Sequence, residues 1–128
     1  MSVRWTRVTI DCRDADPVAH FYGQLLGWPV TDRDGDHWIQ LGDPDGGVGL
    51  NIQAEAWYRP PMWPEAASDQ HKMMHFELEV DDLEAALATA VAAGGTVAPH
   101  QPADRDARRL RVVFDPAGHP LCLFVPGE

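Results

Sequence analysis

The 128-residue sequence predicts an α+β fold built from two tandem βαβββ modules. Two observations carry that expectation. The run RVTIDCRDADPVAHFYGQLLGW, from Arg7, aligns without gaps on HFELEVDDLEAALATAVAAGGT, from His75. Ile10 then falls on Leu78, Cys12 on Val80, Asp14 on Asp82 and Gly27 on Gly95. The turn-forming run DPDG at Asp43 recurs as DPAG at Asp115, at nearly the same separation. Two echoes in the same order point to duplication.

Each module opens on alternation, V-T-I-D-C and F-E-L-E-V, which gives a strand one apolar and one polar face. A helix follows. In the first module Asp16 can cap it, Pro17 suits the opening helical position, and Gly27 supplies a left-handed end. In the second, Asp81 and Glu84 form a capping-box-like pair, and Gly94 and Gly95 close an Ala-rich helix whose small side chains allow close approach to a sheet. Three short strand-like runs complete each module. They are WPVTD, HWIQLG and GVGLNIQ in the first, answered by TVAPH, RLRVVF and HPLCLFV in the second. Asp-Pro-x-Gly between strands is turn chemistry, with proline preset for the second position and glycine free to take positive φ.

The expected boundaries are about 1–53 for module one, 54–70 for a Trp- and Pro-rich linker, and 71–128 for module two, all within one domain of 1–128. The linker has no regular period but carries Trp57, Tyr58, Met62 and Trp63, more apolar surface than a solvated tether needs. It either packs over the domain or a dimer contact, or forms a lid over a pocket.

Composition bounds the function. Twenty acidic against 10 basic residues give a formal charge of −10, which repels phosphate backbones and anionic lipid surfaces, so neither nucleic acid nor membrane is expected as a partner. No apolar run approaches the roughly 20 residues of a membrane span. MSVRWTRV lacks the apolar core of a signal peptide, so a cytoplasmic location is expected, with Cys12 and Cys122 kept as thiols.

Strand alternation sorts the side chains. Val8, Ile10 and Cys12, with Phe76, Leu78 and Val80, face the helices, whereas Arg7, Thr9 and Asp11, with His75, Glu77 and Glu79, face away. The same sorting puts Trp38, Gln40, Asn51, Gln53, Cys122 and Phe124 on the second side. Aromatics mixed with convergent polar groups describe a ligand cavity better than a wet surface.

The strand followed by Asp14 and HFY, the strand HFELEVDDLEAA and the ending FDPAGHPLCLF together resemble the vicinal oxygen chelate superfamily, the glyoxalase, bleomycin-resistance and extradiol dioxygenase group. The likeness spans essentially the whole chain and is strongest to a glyoxalase-like branch of bacterial proteins. It implies a glyoxalase-like fold, in which the two modules form a curved mixed sheet around a cavity, and a homodimer. It also implies, for the enzymes of the group, a divalent metal held by side chains on the first and last strands of each module, usually His or Gln and then Glu. Here those positions fall on Arg7 and His75, and near Asn51 and on Cys122; only His75 fits.

Arg7 is the departure that matters, because a guanidinium is permanently charged and offers no lone pair to a cation. It would pair with a carboxylate, Glu77 being the natural candidate, or with an anionic ligand group. No cofactor is therefore expected, the alternative being a divalent ion at His75, Glu77 and Cys122, with His71 if it joins the same face. Cys122 reads as a small buried hydrophobe, as a nucleophile activated by His75, or as a soft-metal ligand. His20, His37, His100 and His119 read as surface or turn residues, and Asp81 with Asp82 as helix capping.

The leading expectation is a protein that binds a small, partly apolar organic ligand between its modules without a catalytic metal. Trp38, Trp57, Trp63 and Phe124 would supply apolar area, and Arg7, Gln40, Asn51, His75, Glu77 and Cys122 polar contacts. Sequestration of a toxic compound is what the likeness to drug-binding relatives implies. The alternatives are an enzyme of the group, either a metal-dependent lyase or dioxygenase or a metal-free isomerase with His75 or Glu77 as base, and a structural or partner-binding subunit.

Overall fold

A computed structural model describes residues 1–127; Glu128, at the end of the expected second module, lies outside the described residues. The chain divides into two compact units, Met1–Tyr58 and Arg59 onward, with the division inside the Trp- and Pro-rich stretch. Each unit is βαβββ, as the duplication predicts.

The first unit runs β1 (Arg7–Cys12), α1 (Ala15–Leu26), β2 (Val30–Asp34), β3 (Trp38–Leu41) and β4 (Gly49–Ala54). Its sheet has the order β1-β4-β3-β2, with β1 parallel to β4 and the other pairs antiparallel. The second unit runs β5 (Glu77–Glu79), α2 (Leu83–Ala92), β6 (Thr96–Val97), β7 (Leu110–Phe114) and β8 (Pro120–Phe124). Its order, β5-β8-β7-β6, repeats that of the first, with β5 parallel to β8. Each first strand pairs with the last strand of its unit, so residues far apart in sequence become cross-strand neighbours.

One face of each sheet is covered by its helix. In the first unit Val18, Phe21 and Tyr22 of α1 are buried with Ile39, Leu41, Leu50 and Ile52. The Phe21 and Tyr22 rings meet edge to face at 4.9 Å. In the second, Leu83, Leu87 and Ala90 of α2 are buried with Val113, Leu121 and Leu123. At about 1.5–3 kcal/mol for each large apolar side chain removed from water, these layers are the main stabilising contribution.

The helix starts correct the expected caps. Asp14, not Asp16, is the N-cap of α1, in extended backbone and with no side-chain cap bond. Asp82, not Asp81, caps α2, its Oδ1 accepting from the Ala85 amide at 3.1 Å. The position that matters is the last residue with non-helical φ and ψ, and neighbouring aspartates are hard to tell apart from sequence. Gly27 does end α1, at φ 70°, and its amide donates to the Gly23 carbonyl. The two Asp-Pro-x-Gly runs form matching turns, in which the Gly46 amide donates to Asp43 O at 3.0 Å and the Gly118 amide to Asp115 O at 2.9 Å. Both glycines have positive φ, 81° and 90°.

Candidate functional site

The face of each sheet turned away from its helix carries the candidate residues. Cross-strand register places Thr9 opposite Asn51 and Asn51 opposite Gln40 in the first unit. It places Glu77 opposite Cys122 and Cys122 opposite Val112 in the second. Thr9 and Glu77 are also equivalent in the sequence repeat, so Asn51 and Cys122 occupy corresponding places in the two copies.

In the second unit, His75 precedes β5, Glu77 begins it and Cys122 lies at the centre of β8. His75 Nε2 is 3.0 Å from a Glu77 carboxylate oxygen. The ligand-type atoms of His75, Glu77 and Cys122 all lie within 4.8 Å of one another, and His71 is not among them. Burial, the nearby Glu77 charge and a hydrogen bond to Glu77 push the Cys122 thiol up to about 11. It is therefore a protonated donor near neutral pH, and its environment disfavours the nucleophile reading.

Beneath these groups lies a small apolar cluster of Ala98, Val112 and Cys122, with Trp63, Leu110 and Phe114 packed against it. Cys122 is 9% exposed. Trp63 comes from the stretch read as a linker; its indole N–H donates to His100 O at 3.1 Å, and Lys72 Nζ lies 4.8 Å from the ring centroid. Trp63 thus packs on its own unit, whereas Trp57 is 91% exposed.

The first unit is arranged differently. Arg7 Nη1 donates to Leu41 O and Asn51 Oδ1, both at 3.3 Å, and Asn51 Nδ2 donates to Thr9 Oγ1 at 3.2 Å. Asn51 is buried, 5% exposed. Gly49 stands opposite Arg7, and a Cβ there would lie 2.8 Å from Nη1 and 3.0 Å from Leu41 O. A glycine on β4 thus makes room for the guanidinium. Within its own unit Arg7 bonds amide and carbonyl oxygens, and within the second unit Glu77 lies against His75. Trp38 and Gln40 lie across from Gln53 and Asn51 on the same face.

The donors present test the metal that the resemblance implies. His75, Glu77 and Cys122 are nitrogen, oxygen and sulfur ligands of a kind that a borderline ion such as zinc accepts. The corresponding residues of the first unit are a cationic guanidinium and a hydroxyl, both bonded to a carboxamide. The His or Gln and Glu pattern is not reproduced: one copy holds three donors of mixed softness and the other holds a fixed positive charge.

Sequence reasoning missed His119. Read as a surface residue, it has a side chain only 23% exposed, with Nδ1 2.6 Å from Asp115 Oδ2. Asp115 Oδ1 accepts from the Ala117 and His119 amides, at 2.9 and 3.0 Å. The DPAGH run is thus a buried carboxylate tying its own turn together, and Asp followed four residues later by His was the available signal.

Comparison with known proteins agrees with this fold. The sequence pattern of the glyoxalase-like domain family matches residues 7–124. No protein of curated function matches the chain. Among solved structures, a glyoxalase/bleomycin resistance protein from Albidiferax ferrireducens superposes with a TM-score of 0.65 at 18% identity, over 95% of this chain and 98% of the other. A glyoxalase-related enzyme from Fulvimarina pelagi gives 0.67 at 21% identity, over 98% and 89%. A glyoxalase/bleomycin resistance protein/dioxygenase family enzyme from Burkholderia phytofirmans gives 0.64 at 20% identity, over 94% and 97%. At such identities the likeness speaks for the fold alone. With the family pattern spanning both βαβββ units, the chain belongs to the glyoxalase-like domain family of the vicinal oxygen chelate superfamily.

Proposed function

We propose that this protein binds a small, partly apolar organic molecule on the sheet face that carries His75, Glu77 and Cys122, and that it does so without a catalytic metal. The observation that carries this reading is the fixed guanidinium of Arg7, bonded to Asn51 and Leu41 O where a metal ligand of the first copy would stand. Apolar area comes from Ala98, Val112 and Leu110, and orientation from the His75 and Glu77 pair and the Cys122 S–H. On the corresponding face of the first unit, Trp38, Gln40 and the Arg7 guanidinium offer stacking area and an anion-binding group. Sequestration of a reactive or toxic compound suits such a receptor.

A thermal-shift screen of small aromatic and aliphatic compounds tests it. Binding at a hundred times Kd adds about 2.7 kcal/mol, so at least one class should raise Tm by several degrees in the native protein and less in His75→Ala. A panel without any shift contradicts the reading.

One observation favours a second reading. The convergence of His75, Glu77 and Cys122 within 4.8 Å is a three-donor arrangement that can hold a divalent ion and leave a position open, as an enzyme of the group requires. An ion so held would polarise a substrate oxygen. Turnover that persists after exhaustive chelation but is lost in His75→Ala would instead indicate a metal-free isomerase with His75 as base.

A further inference from the structure

The stretch between the division at Arg59 and the start of β5 has no helix or strand, yet it is fastened to the second unit at several points. The Met62 amide donates to Gln70 O at 2.9 Å, drawing its two limbs together. Lys72 Nζ bonds Glu65 Oε1 at 2.7 Å, with both side chains 20% exposed. The same ammonium lies over the Trp63 ring, and the indole N–H is anchored on His100 O. Trp63 in turn packs against Ala98, Val112 and Cys122, the floor of the candidate site. One flaw accompanies this closure. Glu65 Oε2 is buried and has no hydrogen-bond partner among the described residues. Water would satisfy that oxygen once the segment lifted, so the closed position gains from the indole and the ion pair but carries an unmet acceptor.

We propose that this segment is a strap across the Cys122 face, with Trp63 as its cover and the Lys72–Glu65 ion pair as its fastener, and that it must lift before a ligand held at the exposed His75 and Glu77 reaches Cys122. The ligand class follows from what is displaced. A molecule replacing an indole over Ala98, Val112 and Cys122 is flat and apolar there, and it presents one polar edge to the His75 and Glu77 pair. The inference rests on the ligand-binding reading above for its purpose, but its test needs no ligand.

The test is alkylation of the full-length protein by iodoacetamide at about pH 9, with Cys122 and Cys12 followed separately by peptide mass spectrometry. When reaction requires local opening, the rate reports the open fraction. Lys72→Met, which loses the fastener, should label Cys122 about tenfold faster, the factor expected from about 1.4 kcal/mol of lost closure. Loss of the Lys72 charge by itself raises the Cys122 pKa and slows alkylation, so acceleration cannot come from the thiol's chemistry. Trp63→Ala should label faster still, Trp63→Phe should fall between it and the native protein, and high salt should accelerate the native protein. Cys12, buried in the first unit, should keep its rate in every variant. Native-like labelling of Cys122 in Lys72→Met, or equal acceleration at Cys12, overturns the strap. Because no ligand enters the assay, that failure leaves the ligand-binding reading standing, and an unresponsive thermal-shift panel leaves the strap standing.

Discussion

The two copies of one βαβββ unit have the same strand order and the same parallel pairing of first with last strand, but their polar sheet faces differ. In the first, buried Asn51 accepts from Arg7 and donates to Thr9, so the face is locked by its own side chains. In the second, the corresponding places hold His75, Cys122 and Glu77, with the first and last of these exposed and the thiol under Trp63. A duplicated fold fixes where side chains point. It does not fix whether they are spent on structure or left free to act on a ligand.

The sharpest way to break this comparison is to exchange a residue at the corresponding places. Asn51→Leu removes an acceptor from Arg7 and a donor from Thr9, and should cost about 2–4 kcal/mol in urea unfolding. Cys122→Val, at the matching site, should cost less than about 1 kcal/mol. Equal losses would mean that the first face is no more locked than the second. Next in size is Gly49→Ala, whose new methyl would crowd Arg7 Nη1 and Leu41 O. A loss of about 1–3 kcal/mol is expected, and a neutral result would show that Arg7 does not depend on the gap opposite it.

How much of this was legible in the sequence follows from the range of the contacts involved. Alternation and turn chemistry are local, so nearly every strand, both helices and both Asp-Pro-x-Gly turns could be read directly. The resemblance brought first-strand and last-strand positions together, His75 with Cys122, whereas the register that sets Glu77 opposite Cys122 came from the structure. Three features arise only in the folded chain. Trp63 belongs to an aperiodic stretch, and nothing in its own sequence says that it packs on Ala98, Val112 and Cys122. Arg7 depends on a glycine at Gly49 and a carbonyl at Leu41, neither of which has a chemical signature at that range. The Asp115 and His119 pair was visible as spacing but carries weight only because the carboxylate is fully buried.

Two smaller effects sharpen the account of the second unit. Glu77→Gln removes a negative charge beside Cys122, so the midpoint of its alkylation profile should fall from about 11 toward the ordinary 9.0. An unmoved midpoint would make burial the sole cause. In the native protein the raised value favours the neutral thiol in the folded state, a contribution that is present below 9.0 and lost as pH rises through about 11. The smallest effect lies at acid pH. The hydrogen bond from Lys72 holds the Glu65 carboxyl below its ordinary 4.5, so this pair stabilises the fold above that value and ceases to as pH falls through the lowered one. Lys72→Met should flatten that limb of the stability curve, and an unchanged limb would dissociate Glu65 from it.

The central claim of the proposed function is that His75, Glu77 and Cys122 serve a receptor and hold no catalytic metal. Elemental analysis beside native mass spectrometry of protein purified without chelator tests it most directly. The account predicts no stoichiometric metal and a Tm that chelator leaves unchanged. One ion per chain, lost in Cys122→Ala and His75→Ala, with a Tm that falls on chelation, would contradict it.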